Sequence, residues 1–368
     1  MHRGFKKTKR VHSSDYLQKY IFIAKINKLA KQTVKINSLN PKVVFGVVLF
    51  GQEHLTGSLP SLVRQDYENC EFYLLDQEEN VWSAADFIEK NLPEVTNNPR
   101  VTIERGPNLW HSGGQNKLIC KALESDATIY IAASNDIYYP SDLATKVVVE
   151  LEKPHNLEFG SAAVKLKQWE NSPEPPTKQT SKEVLDSCGI GVTKSHRFSD
   201  RGQGEHDYKQ FDSEREIFGA SAALAIFRRE ALEAVADQGK FFDKKLHFKN
   251  DVDLAYRLNW LDWKCVFLPE IVAWHARGLG SKKSRLLRSE FEKENSTFGQ
   301  LIAVTKNFDE NFSWPTKMLT KLRLFLIRIF ALFNEAEKNG VRKFDQIQRE
   351  LRPSPRKVTA AEIEKFFE

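Results

Sequence analysis

Apolar residues fill nearly every position of Val43-Val44-Phe45-Gly46-Val47-Val48-Leu49-Phe50. Such a run predicts a strand covered on both faces, as in a parallel sheet. Gly51 ends it, and residues 54–65 predict a helix interrupted by Gly57 and Pro60. The alternation then repeats. Residues 71–75 predict a strand that stops at Asp76, and residues 82–91 a helix. A short strand at 101–103 leads into a glycine-rich loop and a helix over 115–124, and a strand at 128–132 ends in Ser134-Asn135-Asp136. Strands and helices alternating at this spacing predict βαβ units, hence an α/β fold whose mostly parallel central sheet carries helices on both faces.

Residues 168–214 turn polar, with Pro173, Pro175, Pro176 and several glycines, and predict a long loop region. Order resumes at 217–227, followed by a helix from near Arg229. A helix at 251–261 aligns Leu254, Leu258 and Leu261 on one face, and 264–268 predicts a strand. Residues 15–35 alternate apolar and basic positions at helical spacing. The chain accordingly divides into a basic helical extension (1–40), two halves of one α/β domain (41–152 and 153–280) and a helical, basic C-terminal region (281–368).

Composition changes this picture in three places. The four cysteines, Cys70, Cys120, Cys188 and Cys265, form no CxxC pair, which argues against a structural zinc or a disulfide framework and suits a reducing compartment. No signal-peptide pattern opens the chain, and no apolar stretch reaches the eighteen or so residues of a membrane span, so a cytoplasmic protein is expected. The net charge of +6 is concentrated at Arg3, Lys6, Lys7, Lys9 and Arg10 and again between Lys317 and Arg328. No recognition motif accompanies this charge, so nucleic acid is not an expected partner. Leu319, Leu322, Phe325, Leu326, Ile329 and Phe333 are interspersed with Lys317, Lys321, Arg323 and Arg328. That helix is too charged to span a bilayer. It either docks on the folded domain or lies on an anionic membrane surface, which would make the protein peripheral at the cytoplasmic membrane face.

In an open parallel sheet, ligands bind at the carboxyl ends of the strands, near the reversal of strand order. Asp76, Asp136 and the pair Asp251 and Asp253 are placed for that role, although each alone is equally a turn or helix-cap residue. Their order and surroundings resemble family 2 glycosyltransferases, and within them the rhamnosyltransferase-like branch of bacterial cell-surface polysaccharide synthesis. The resemblance runs from about Val43 to Gly280, with a weaker continuation to about Phe333. It rests on Val47-Val48-Leu49-Phe50-Gly51, on Asp76 and on Asn108-Leu109-Trp110-His111-Ser112-Gly113-Gly114-Gln115-Asn116. It continues through Ser134-Asn135-Asp136, Phe218-Gly219-Ala220-Ser221-Ala222-Ala223, Asn250-Asp251-Val252-Asp253-Leu254 and His275-Ala276-Arg277-Gly278. Two positions depart from the family's pattern. Ser134 stands where the first acid of Asp-x-Asp is expected, and Asn250 replaces the Glu of Glu-Asp.

The resemblance implies a GT-A fold and inverting transfer of a hexosyl or deoxyhexosyl group from a nucleoside-diphosphate sugar to an acceptor hydroxyl on a polysaccharide or lipid-linked saccharide. It implies Asp251 as the catalytic base and Phe50, Gly51, Asp76, Asn108, Gly113, Asn116, Ser134, Asn135 and Asp136 as donor contacts. Ser221, Asn250, Asp253 and Arg257 would contact the acceptor, and Asp136 with His275 would hold Mg²⁺ or Mn²⁺. A carboxylate at a helix N-terminus is expected to be ionised and a modest base. The two departures favour one rival, a sugar-nucleotide-binding scaffold without turnover. A nucleotidyltransferase would need a Gly-rich, Lys/Arg-bearing loop where Gly51-Gln52-Glu53-His54 stands.

Overall fold

The structure, a computed structural model, describes residues 40–51, 54–78, 83–169, 181–237, 239–276 and 288–368. The expected N-terminal extension, Pro173, Pro175 and Pro176, and Arg277 with Gly278 lie outside the described residues. Residues from Lys42 to Glu368 form one compact unit.

The strands are β1 (Val43–Leu49), β2 (Cys70–Glu78), β3 (Val101–Pro107), β4 (Ile129–Ser134), β5 (Ile137–Tyr138), β6 (Phe159–Trp169), β7 (Ser181–Ser187), β8 (Ile190–Val192), β9 (Phe198–Asp200), β10 (Glu216–Ile217), β11 (Leu224–Arg228) and β12 (Lys264–His275). The helices are α1 (Leu55–Val63), α2 (Ala84–Asn91), α3 (Pro93–Thr96), α4 (Trp110–Glu124), α5 (Leu143–Leu151), α6 (Arg229–Val235), α7 (Asn250–Trp260), α8 (Glu290–Asn307), α9 (Trp314–Ala331), α10 (Glu335–Ile347) and α11 (Ala360–Glu364).

One sheet runs in the order β10-β12-β6-β11-β4-β1-β2-β3. Within it β3, β2, β1 and β4 are parallel, and β6 and β12 point the same way. Only β11 and the short β10 are reversed along this path. The expected α/β fold with a mostly parallel sheet is therefore what forms.

Alternating side chains of β1 explain its unbroken apolar run. Phe45, Val47 and Leu49 pack with Leu55, Leu59 and Leu62 of α1 and with Leu143 and Val147 of α5. Val44 and Val48 face the other way, toward Leu118, Ile119 and Ala122 of α4 and Leu254 and Leu258 of α7. A strand with a core on each side has no position left for a polar residue.

Two expectations are corrected. The helix expected from residue 115 begins at Trp110, so the glycine pair lies inside α4 rather than in a loop. The polar stretch 168–214, read as loop, contains β7, β8 and β9. The strands are short and polar residues interrupt them; Lys167 of β6 holds Glu183 of β7 at 2.5 Å, and ion pairs also tie the segment after β9 to β6. Lys165 reaches Asp212 at 2.7 Å and Asp207 at 3.1 Å, and Lys167 reaches Asp207 at 3.1 Å. The last sheet strand also runs on to His275, past an irregularity between Leu268 and Val272.

Candidate functional site

The chain leaves β1 for β2 and β3 and then returns to β4 on the opposite side of β1. The carboxyl ends of β1 and β4 thus border the crevice such a reversal opens. Register places Asp76 opposite Leu49 and Ser134 opposite Val48. Asp76 and the Ser134–Asp136 turn therefore flank the end of β1 from its two neighbouring strands, about 10 Å apart across two strand spacings.

Gly51 turns the backbone at φ +65°, and an added Cβ there would meet nothing within 4 Å. Its neighbour Phe50 is 78% exposed, a free aromatic face at the crevice. Asn135 ties the two strand ends together by donating Nδ2–H to the Phe50 carbonyl at 2.7 Å. Asp76 is buried. Its Oδ2 accepts from Ser83 Oγ at 2.6 Å and from the Ala85 amide at 3.0 Å, securing the start of α2. Among the described residues its Oδ1 accepts no hydrogen bond.

Beyond β4 lies a line of three ionisable groups. His275 Nε2 is 3.2 Å from Asp136 Oδ2, and His275 Nδ1 donates to Asp186 Oδ2 at 2.7 Å. Ser134 Oγ donates to the other oxygen of Asp136. Burial alone would lower the His275 pKa, but Asp136 and Asp186 outweigh it and push it up to about 9. For Asp136 burial acts upward, while His275, the Ser134 hydroxyl and His54 together hold it well below the usual carboxylate value. β5 fixes this corner, because Ile137 pairs with His275 and the Ala276 amide donates to the Asp136 carbonyl at 2.8 Å.

Asp251 opens α7 from the other side of the sheet. Its Oδ2 accepts from the Ala222 amide at 3.3 Å and its Oδ1 from the Val252 amide at 2.8 Å. The next carbonyl, of Ala223, accepts from the Ser134 amide at 3.0 Å. The helix carboxylate and the Asp136 turn are thus joined through two successive residues. Asp251 also lines a recess of about 10 Å³, room for about one water, with Gly219, Ala220 and Ala222. Burial raises its pKa, Lys249 acts downward and Asp200 adds to the rise. The expectation of a carboxylate favoured in its charged form meets an opposing influence here, since burial acts upward on Asp251.

Asp253, two residues on, has a different environment. It is fully buried, with Arg257 Nε at 2.9 Å and Lys306 Nζ at 2.7 Å. Burial acts upward, but these two cations hold its pKa down. Arg257 donates further to the Val235 and Phe241 carbonyls.

Several other expected contacts are engaged within the fold. Asn116 is buried, donates to the Phe242 carbonyl at 2.8 Å and accepts from the Phe241 and Phe242 amides at 3.0 and 2.7 Å. Asn250 donates to Ser112 Oγ at 2.9 Å and lies 3.0 Å from His111 Nδ1, pinning α7 to α4. An added Cβ on Gly114 would come within 2.7 Å of Val48 Cγ2, so glycine there lets α4 approach β1. Gly113 is buried in the same first turns. Asn108 accepts from the Trp110 amide at 2.8 Å, and Ser221 is buried beside Asp251's segment, its carbonyl accepting from the Leu224 amide at 3.2 Å.

Three residues at the site were not expected. Asp186 lies in the stretch read as loop, so nothing local marked it. His54 begins α1 with a buried Nδ1 that has no hydrogen-bond partner among the described residues, and it acts electrostatically on Asp136. Lys249 precedes Asp251 in a left-handed conformation, φ +67°. Burial lowers its pKa, Asp251 opposes the drop, and Arg288 and Arg323 add to it.

Asp136 and His275 could hold a divalent cation only once the imidazole gives up the proton that Asp136 and Asp186 now keep on it. An imidazole whose Nδ1–H is taken by a carboxylate presents Nε2 outward, an arrangement common around bound metal. Among the described residues no group of three or more His, Cys, Asp or Glu could hold an ion by itself. A cation here would need ligands from a bound phosphate or from water.

No family model and no curated protein matches the chain. Among solved structures it is similar to the mannosyltransferase PcManGT from Pyrobaculum calidifontis in complex with GDP-Man and Mn²⁺. That similarity is at 13% identity and a TM-score of 0.47, covering 84% of this chain and 76% of that one. It is also similar to S. aureus TarS 1-349, at 12% identity and a TM-score of 0.47, covering 84% and 91%. The reading of the site rests on this chain's own residues.

Proposed function

We propose that the chain is a metal-assisted glycosyltransferase of the GT-A type. It would transfer a hexosyl or deoxyhexosyl group from a nucleoside-diphosphate sugar to a hydroxyl of a polysaccharide or lipid-linked saccharide. One observation carries this reading: the turn after β4 that bears Asp136, which pairs with His275 at the end of β12, is linked to Asp251 at the start of α7 through Ala222 and Ala223, the Ser134 amide donating to the Ala223 carbonyl and the Ala222 amide to Asp251. That link would put a group for the leaving diphosphate and one for the attacking hydroxyl in neighbouring segments.

Sugar transfer needs the donor's base and ribose held, which Phe50, Asp76 through its remaining oxygen, and the open backbone at Gly51 are disposed to do. It needs compensation of the charge that develops on the leaving diphosphate. Asp136 and His275 would hold Mg²⁺ or Mn²⁺, and the bound ion would supply Lewis acidity there. Asp186 keeps the imidazole turned toward Asp136. Transfer also needs a base for the acceptor hydroxyl, and Asp251 has a raised pKa and two amide donors that fix its orientation. One base without a carboxylate nucleophile suits single displacement with inversion. A retaining hydrolase would want two carboxyl groups about 5 Å apart around the sugar.

A second reading, a scaffold that binds sugar nucleotides without turnover, is favoured by Ser134 and Asn250. The first spends its hydroxyl on Asp136, and the second spends its amide on α4. A thermal-shift panel of nucleoside diphosphates and their sugars, with and without Mn²⁺, followed by measurement of nucleoside-diphosphate release with saccharide acceptors, separates the readings. A ligand at a hundred times its Kd adds about 2.7 kcal/mol of stability. A metal-dependent shift with turnover supports the transferase. A shift without turnover supports the scaffold, and no shift with any nucleotide up to millimolar concentration overturns both.

A further inference from the structure

Helix α9 has two apolar faces, and among the described residues one of them is largely buried and the other largely exposed. At about 100° per residue, Thr316, Thr320, Leu324, Ile327 and Ala331 form the inner face, buried or half-buried. Thr320 fixes it there: its hydroxyl donates to the Thr316 and Lys194 carbonyls and lies 2.8 Å from His196 Nδ1. The opposite face covers an arc of roughly 160° from Trp314 through Leu322 and Phe325 to Phe330, and all of it is exposed. Phe325 is 59% exposed and Leu322 52%, and Phe333 just past the helix is 83% exposed. Apolar side chains in one contiguous stripe are the kind of surface that meets another phase or partner.

Charge identifies the occupant. Lys317, Lys321 and Arg328 border one edge of the exposed arc and Arg323 the other, and α9 contains no acid; Arg328 is paired with Asp345 of α10 at 2.7 Å and Lys321 lies 3.9 Å from Glu310, which leaves the rim positive overall. Long cations at the rim of an apolar stripe keep their charges in water while their stems reach along it. A second copy of the same face would bring like charges together. The chain's own residues 1–39 have the same sign, with ten Lys and Arg against the single acid Asp15. An anionic bilayer complements both the apolar arc and its basic rim.

We propose that α9 lies in the interface of an anionic membrane, its outer face among the acyl chains and Lys317 and Lys321 at the headgroups. The inner face of the helix is tied to the strand that leads toward the proposed base. His196, held by Thr320, sits between β8 and β9, and β9 ends at Asp200, which acts electrostatically on Asp251. A lipid-borne acceptor would therefore present its sugar close to the proposed base. Membrane binding itself stands apart from the transferase reading.

Co-sedimentation of the full chain with vesicles of phosphatidylcholine alone, and of phosphatidylcholine mixed with phosphatidylglycerol, tests it. Binding is expected to the anionic vesicles only and to weaken as salt is raised. Leu322→Glu with Phe325→Glu should abolish it, while the melting temperature stays near the parent's because both side chains are exposed. Lys317→Glu with Lys321→Glu should lower the partition coefficient more than tenfold, at roughly fivefold per lost cation. Equal binding to both vesicle types, or binding that survives the Leu322/Phe325 pair and is therefore supplied elsewhere, overturns the proposal. So does an absence of binding in a protein whose self-association the same pair disrupts.

Discussion

Asp251 and Asp253 stand two residues apart on one helix, and the structure assigns them opposite fates under the same Asp→Asn change. Asp253→Asn removes the charge that faces Arg257 at 2.9 Å and Lys306 at 2.7 Å, with the carboxylate fully buried. Breaking a buried pair in this way costs about 3–5 kcal/mol. At about 2 °C per kcal/mol for a unit of this size, the melting temperature should fall by roughly 6–10 °C.

Asp251→Asn should behave differently. Asparagine has one acceptor atom where two amides now donate, so about 1 kcal/mol of hydrogen bonding is lost. Against this, the raised pKa means that the ionised carboxylate is itself disfavoured in the fold. The sign follows from linkage. With the folded pKa above the unfolded one, the parent loses stability as pH rises from the ordinary Asp value, near 3.9, through the raised folded value. The variant lacks that loss, so its stability relative to the parent should improve across the same window. At neutral pH its melting temperature should lie within about 2 °C of the parent's, while transfer falls by about 10²–10⁴, the usual contribution of a positioned base. Differential scanning fluorimetry against pH, with nucleoside-diphosphate release as the activity readout, measures both. Near-parental turnover in Asp251→Asn would refute the base assignment, and a parental melting temperature in Asp253→Asn would refute the structural one.

Further outcomes follow from single contacts. Asp186→Asn leaves His275 Nδ1 facing an amide, and Mn²⁺-dependent nucleotide binding should weaken about 10–100-fold; titration calorimetry with unchanged affinity would remove Asp186 from the site. Gly114→Ala forces a methyl to within 2.7 Å of Val48 Cγ2 and should cost about 1–3 kcal/mol in urea unfolding. Phe50→Ala should raise the donor KM and leave the melting temperature unchanged, since the ring is exposed; a lower melting temperature with unaltered KM would mean that the ring packs rather than binds.

How much of this was legible beforehand depended on the range of the physics involved. β1, α1, β2, β4 and α7 could be read from order along the chain, because a strand between two cores must be apolar throughout and a helix on one core must be apolar at its own period. For the same reason Asp136 and Asp251 could be picked out as polar residues at the ends of apolar elements, whereas the strand expected to stop at Asp76 runs on, as β2, to Glu78, because Gln77 and Glu78 still pair with β3. Asp186 could not, because its partner His275 is 89 positions away and its strand is held beside ion pairs.

The sequence by itself determined the alternation of elements, the acids Asp136 and Asp251 at the ends of two of them and the basic, apolar character of residues 314–333. Tertiary structure alone decided which acid does what. Asp253 and Asp251 differ only in what folding brings beside them, two cations for one and a recess beneath the Ala222 amide for the other. It also decided that Asn116 holds α4 to the segment at 241–242, that Asn250 holds α7 to α4, and that among the described residues one face of α9 is largely buried and the other largely exposed. Period and composition are properties of neighbours in the chain, whereas desolvation and charge pairing depend on residues a hundred positions apart meeting within 3 Å.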